Sequence, residues 1–166
     1  MNEHRIIISP EISRLSLYST PCIMQCMVIS YMNKYIFLLT CLWCLLGSSI
    51  LYWNDMTNKL IYNIDRVLAV SVLSIKSHIA YNNFSDIGEK IWYTSLFVTG
   101  SAYMLSLYLF QKNTIINKIE MKDEKEVDIN KYMRWSVYYH MFFVHFLPTT
   151  TFSLCVLYYS RIIEEK

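Results

Sequence analysis

The segment YIFLLTCLWCLLGSSILYW, from Tyr35 to Trp53, contains no charged side chain. A second segment, from Ile91 to Phe110, is equally free of charge. The hydrocarbon core of a bilayer is about 30 Å thick, and a helix needs roughly 20 apolar residues to cross it. Both segments meet that length, so they predict helices that span a membrane.

Three further segments are also apolar enough to be predicted as spans, although they are more polar than these two. We therefore expect an all-α protein, a polytopic transmembrane helical bundle of about five spans. The predicted spans cover residues 16–32, 35–53, 60–81, 91–110 and 135–159. Tyr and Trp side chains lie near most of the span ends, as in the aromatic belts of membrane proteins.

The composition favours the same class of protein. Hydrophobic residues make up 54% of the chain and charged residues 17%, which lies outside the usual range of soluble proteins. We expect a single transmembrane domain over residues 1–166, with a charged connector at 111–134. No basic patch indicates nucleic-acid binding. The five cysteines all fall within predicted spans, and we expect them to be packing residues.

The distribution of Lys and Arg predicts the orientation. With five spans, more of these residues lie on the side of the N-terminus than on the opposite side. Positive residues favour the cytoplasmic side, so the N-terminus is predicted to be cytoplasmic. If residues 16–32 do not span, the two sides carry equal numbers and the rule assigns no orientation.

The third predicted span is the most polar. Ionisable side chains at membrane depth usually face a partner or a cavity, which makes Asp65 and Arg66 candidate functional residues. The alternative is that both lie near the membrane surface, where Arg66 reaches the phosphate headgroups. On the same helix, Ser71, Ser74 and His78 form a polar stripe that is suited to hydrogen bonds between helices.

The last predicted span carries His140 and His145. Five residues on a regular α-helix separate two side chains by about 140°, so the rings diverge. A wide turn would realign them, and Pro148 favours one because proline disrupts the bond to the carbonyl of Val144. Without that turn, each histidine is expected to hydrogen-bond a neighbouring helix.

The order of these residues resembles the alkaline ceramidase, adiponectin-receptor and myomaker superfamily of membrane hydrolases. Those proteins carry Ser-x-x-x-His near the end of one helix, Asp in the next and His-x-x-x-His in the last. Their three histidines hold a zinc ion whose bound water attacks a lipid amide or ester. The resemblance implies that Ser49 and Asp65 correspond to the serine and aspartate, and His140 or His145 to the late histidines.

The chain departs from that pattern in three ways. Trp53 stands where the family has its first zinc-binding histidine, and an indole does not ligate a metal. The late histidines are five residues apart instead of four, and five spans are predicted instead of seven. The segment Ser49–Trp53, followed by Ile64-Asp65-Arg66, is also similar to uncharacterised multi-span proteins of giant DNA viruses and protists.

The pattern leaves three functions open. The first is a structural or interaction component of a membrane, not an enzyme and without a cofactor. Its partners would be membrane lipids and either a second copy of the chain or other membrane proteins. The second is a divergent zinc-dependent lipid hydrolase. It would use Ser49 and Asp65 in catalysis, with zinc ligands from His140, His145 and His78.

The third is a small channel or transporter. It would require Asp65, Ser71 and Lys76 to line a water-filled path across the bundle.

Overall fold

The computed structural model describes residues 19–54, 58–120 and 137–160, and this part of the chain is all-α as predicted. Its five helices lie in the predicted order. They are α1 (Thr20–Met32), α2 (Ile36–Asn54), α3 (Lys59–Asn83), α4 (Asp86–Glu120) and α5 (Val137–Tyr159). In these ranges the one β-type pairing is an isolated antiparallel bridge between Phe84 and Ser160.

Helix α5 is long and apolar enough to cross a membrane, and α1 and residues Ile36–Tyr52 of α2 are shorter apolar helices. Helix α4 begins at Asp86 and continues to Glu120, so it extends ten residues into the predicted connector. Residues 121–134, the rest of that connector, lie outside the described residues.

The turn between α1 and α2 is closed by main-chain hydrogen bonds. The amide of Tyr35 donates to the carbonyl of Ser30 at 2.8 Å, and the amide of Lys34 donates to Tyr31 at 3.1 Å. This pair of bonds is the Schellman motif, which requires a left-handed residue after the helix. Lys34 fills that position with φ 57°.

The helices form a closed bundle. Helix α2 packs between α1 and α3, α4 packs along α5, and α5 returns to contact α1. At one end, Phe84, Trp92 and Phe152 are fully buried, and their rings form a continuous cluster with centroid distances of 5.4 and 5.8 Å. Trp92 also donates from Nε1 to the hydroxyl of Ser77, 3.3 Å away.

The α3–α4 turn lies directly against the C-terminal end of α5. The amide of Ser85 donates to the carbonyl of Tyr159 at 2.7 Å. A Cβ atom built on Gly88 would lie 2.5 Å from Cβ of Tyr159. Such a distance is closer than two carbon atoms pack, so glycine is required where α4 crosses α5.

The five cysteines are free thiols in this structure. Cys26 and Cys155 are fully buried in the core, while Cys44 is exposed on α2.

Candidate functional site

The carboxylate of Asp65 points into the bundle and joins α3 to α2. Its Oδ1 accepts hydrogen bonds from Ser49 Oγ at 2.6 Å and from Ser48 Oγ at 2.9 Å. Both serines are buried and Asp65 is half-buried. The structure thus joins the predicted Ser49 and Asp65. Sequence reasoning missed Ser48, which reaches the same carboxylate as its neighbour Ser49.

The side chain of Arg66 points out of the bundle. It is exposed, Nη1 lies 3.0 Å from the hydroxyl of Tyr62, and the guanidinium stacks 5.2 Å from the centre of the Tyr62 ring. Adjacent residues of a helix point about 100° apart, so Asp65 and Arg66 do not pair with each other.

The two late histidines meet because α5 contains a wide turn. Residues Met141–Phe146 form a π-helix, and the amide of Leu147 donates five residues back to Phe142. The rings of His140 and His145 therefore lie with their centroids 5.1 Å apart. Pro148, which has no N–H group, follows directly. The wide turn that the sequence analysis required for realignment is present.

Thr99 of α4 stabilises this turn. The π register moves the Leu147 amide to Phe142, so the carbonyl of Phe143 loses its usual helical donor. The hydroxyl of Thr99, which is buried, donates to this carbonyl at 3.0 Å. This carbonyl is partly buried and needs a donor, which a threonine one helix away supplies. Nothing in the sequence pattern indicated Thr99.

Tyrosine rings lie near both groups of candidate residues. The ring of Tyr103 on α4 lies 5.9 Å from the ring of His140. The ring of Tyr52, one turn after Ser48 on α2, lies 5.4 Å from the ring of Tyr62 on α3. We call Ser48, Ser49, Asp65, Tyr103, His140 and His145 together the polar core.

His78 lies outside the polar core. Its side chain is exposed on α3, where the amide nitrogen of Asn82 contacts its ring nitrogens at 3.2 and 3.4 Å. A catalytic zinc site needs three protein ligands. Within the described ranges no group of three His, Cys, Asp or Glu side chains is placed to hold a metal ion. The side chain of Trp53 is not among those described. The described residues therefore do not fit the complete zinc site of the hydrolases.

Lys76 is the most deeply buried charged side chain of the described residues, with 3% of its surface exposed. Its Nζ lies 5.2 Å from the centre of the Phe152 ring, a cation–π contact with α5. Lys76 lies on the same side of α3 as Asp65, as the spacing of three turns predicts.

No protein-family model, curated protein or solved structure matches this chain. The resemblance to the membrane hydrolases therefore rests on the positions of Ser49, Asp65, His140 and His145 alone.

Proposed function

We propose that this chain is a multi-pass integral membrane protein that acts as a structural or interaction component of its membrane. In this proposal all five helices cross the bilayer, the N-terminus is cytoplasmic, and lipid surrounds the bundle. The polar core holds the helices together and is not the site of a reaction.

The distribution of polarity in the bundle carries this proposal. Large apolar side chains cover its outside on several helices; Phe37 of α2, Phe97 of α4 and Tyr158 of α5 are 71%, 77% and 75% exposed. A water-soluble monomer rarely exposes an apolar surface that continues from helix to helix. In hydrocarbon the same surface is the favourable one.

The buried polar side chains of the bundle also support this proposal. Ser48, Ser49, Lys76 and Thr99 are all buried, and the three hydroxyls bond to a carboxylate or a main-chain carbonyl of another helix. Hydrogen bonds between helices are a main source of association where lipid supplies no hydrophobic driving force. We infer that these bonds join α2 to α3 and α4 to α5 in the membrane.

Alkaline carbonate extraction tests the membrane part of the proposal, since an integral protein stays with the lipid pellet. Glycosylation acceptor tags on the two termini, expressed with microsomes, then test the topology. With five spans the C-terminal tag is glycosylated and the N-terminal tag is not. Glycosylation of both tags or of neither contradicts an odd number of spans, and recovery in the aqueous fraction contradicts the whole proposal.

The second candidate function is the divergent zinc-dependent lipid hydrolase. One observation favours it: the π-turn places His140 and His145 with their rings 5.1 Å apart, and Asp65 accepts a hydrogen bond from Ser49 of another helix. This arrangement supplies two imidazoles of the three ligands that a zinc hydrolase needs.

Metal analysis of detergent-purified protein separates the two candidates. If the chain is a structural component, zinc bound by the wild type does not depend on His140 or His145. Zinc bound at about one equivalent, and lost in both His140→Ala and His145→Ala but kept in the exposed His78→Ala control, contradicts the first proposal and supports the second.

A further inference from the structure

A buried hydroxyl of α4 has no hydrogen-bonding partner. Ser95 is 7% exposed, and its Oγ makes no hydrogen bond within the described part of the chain. Burial removes the bonds that a hydroxyl makes to water, so a hydroxyl without a replacement is unfavourable. The hydroxyl of Ser95 is therefore a donor that is available to a neighbouring helix.

The neighbouring helix is α5. Ser95 follows Trp92 by three residues and precedes Thr99 by four, so the three side chains share one side of α4. The ring of Trp92 packs against that of Phe152, and Thr99 donates to the carbonyl of Phe143. The two helices thus run antiparallel, and Ser95 lies opposite the part of α5 between Phe143 and Phe152.

This part of α5 has one carbonyl too many for its amides, because Pro148 has no N–H group. In a regular α-helical register, the amide of Leu147 bonds the carbonyl of Phe143. The carbonyl without a donor is then that of Val144, four residues before the proline. In the π register of the structure, the amide of Leu147 bonds Phe142 instead, and the carbonyl of Phe143 needs the donor.

We propose that α5 switches between these two registers and that a different hydroxyl of α4 stabilises each. In the π register Thr99 donates to Phe143 at 3.0 Å and Ser95 has no partner. In the α register Phe143 regains its helical donor, and Ser95 donates to the carbonyl of Val144. Ser and Thr side chains satisfy carbonyls that proline frees in membrane helices. Each register thus has one carbonyl to satisfy and one hydroxyl to satisfy it.

The switch moves His140 relative to His145. Their rings lie 5.1 Å apart in the π register, whereas side chains five residues apart diverge by about 140° on a regular α-helix. Closing the wide turn rotates the residues before it by about 100°, the angle that one residue spans on an α-helix. The ring of His140 then also leaves Tyr103, which lies 5.9 Å away in the structure. The inference goes beyond the proposed structural role, because it gives the polar core two states.

A disulfide between two introduced cysteines reports the register. In the full-length double variant His140→Cys/His145→Cys, the π register holds the two side chains next to each other. On a regular α-helix, Cα atoms five residues apart are separated by about 8.7 Å, and a disulfide does not bridge more than about 7 Å. The rate of disulfide formation in detergent, with the bond located by mass spectrometry, therefore follows the fraction of protein in the π register.

Substitutions at the two hydroxyls should act in opposite directions on this rate. Adding Thr99→Val is expected to slow disulfide formation by up to about threefold, which corresponds to about 0.6 kcal/mol for one hydrogen bond between helices. Adding Ser95→Ala to that protein removes the donor of the α register and is expected to raise the rate again. Thr94→Val, on the exposed side of α4, is the matched control and should leave the rate unchanged.

An unchanged rate with Thr99→Val, or no recovery when Ser95→Ala is added, overturns the proposal. Recovery is the decisive outcome, because two substitutions that only loosened the packing would add their effects.

Pro148→Ala covers the case in which loss of a buried hydroxyl prevents folding. It supplies the N–H group that the carbonyl of Val144 lacks, so it favours the α register without removing a hydrogen bond. The expected result in the double-cysteine background is slower disulfide formation in protein that elutes from gel filtration as its parent does. Folded Pro148→Ala protein that forms the disulfide at the parent rate contradicts the switch.

Discussion

The hydroxyl of Thr99 on α4 donates to the main-chain carbonyl of Phe143, 3.0 Å away, inside the π-helical turn of α5. This bond replaces the donor that the turn removes, because the Leu147 amide bonds to Phe142 instead. The same turn brings His140 and His145 together. A side chain on one helix thus stabilises the irregular geometry of another.

Replacing this donor should destabilise the bundle. Thr99→Val keeps the shape of the side chain but leaves the partly buried carbonyl of Phe143 without a donor, which costs about 1–3 kcal/mol. The expected result is a lower midpoint of thermal unfolding in detergent. Thr99→Ser keeps the hydroxyl and should lose less, and Thr94→Val on the exposed face of α4 should change little. Equal midpoints for Thr99→Val and wild type would contradict this role.

The two serines on α2 should act together on Asp65. Ser49→Ala removes the shorter of the two hydrogen bonds to the carboxylate, and bonds to a charged group contribute about 1.5–3 kcal/mol. The double variant Ser48→Ala/Ser49→Ala is expected to cost more than the sum of the single variants, because Asp65 then keeps neither donor.

Thermal unfolding in detergent measures the losses at these serines. The control is Thr40→Ala on the exposed side of α2, which should change stability little. In the wild type the hydroxyl of Thr40 donates to the carbonyl of Ile36 in the same helix. Strictly additive losses would show that the two serines act independently.

Gly88 and Gly100 should respond in opposite directions to the same substitution. A Cβ on Gly88 would lie 2.5 Å from Cβ of Tyr159, so Gly88→Ala must push α4 away from α5 and is expected to destabilise. A Cβ on Gly100 meets nothing within 4 Å, and Gly100→Ala should stabilise the helix by about 0.5–1 kcal/mol. Unfolding midpoints of the two variants check the prediction. A gain at both positions would mean that α4 and α5 are not in contact at Gly88.

The α1–α2 turn offers a stabilising substitution. Lys34 holds a left-handed conformation that is strained for a residue with a Cβ. Lys34→Gly is therefore expected to stabilise the protein by about 0.5–1 kcal/mol, measured as a higher unfolding midpoint. Lys34→Ala removes the charge but keeps the Cβ, so it should give no such gain. Equal gains from both variants would assign the effect to the charge.

The helices were predictable because hydropathy and helical periodicity are local properties of the chain. The boundaries were less so, as α4 shows. It begins at Asp86, where acidic residues suit the N-terminal end of a helix, and it runs on to Glu120. A charged residue ends an apolar segment without ending a helix. Hydropathy therefore locates the end of the apolar part of a helix, and not the residue at which the helix itself ends.

The candidate site was predictable only in part. Ser49, Asp65 and the histidine pair were found from their order and spacing, and Pro148 indicated the wide turn. Thr99 and Ser48 were missed because their roles depend on a carbonyl and a carboxylate that belong to other helices. His78 was grouped with the other histidines, yet the rotation of α3 directs it outward.

By itself, the sequence determined that the described part of the chain is helical, where its apolar segments lie and which residues share a side of each helix, since these follow from local hydropathy and from the 3.6-residue repeat. Only the tertiary structure decided which of those sides meet. It paired Ser49 with Asp65, joined Thr99 to Phe143 and turned the polar stripe of α3 away from the bundle. The physical reason is that contacts between helices depend on how each is rotated and packed against its neighbours, which no local pattern records.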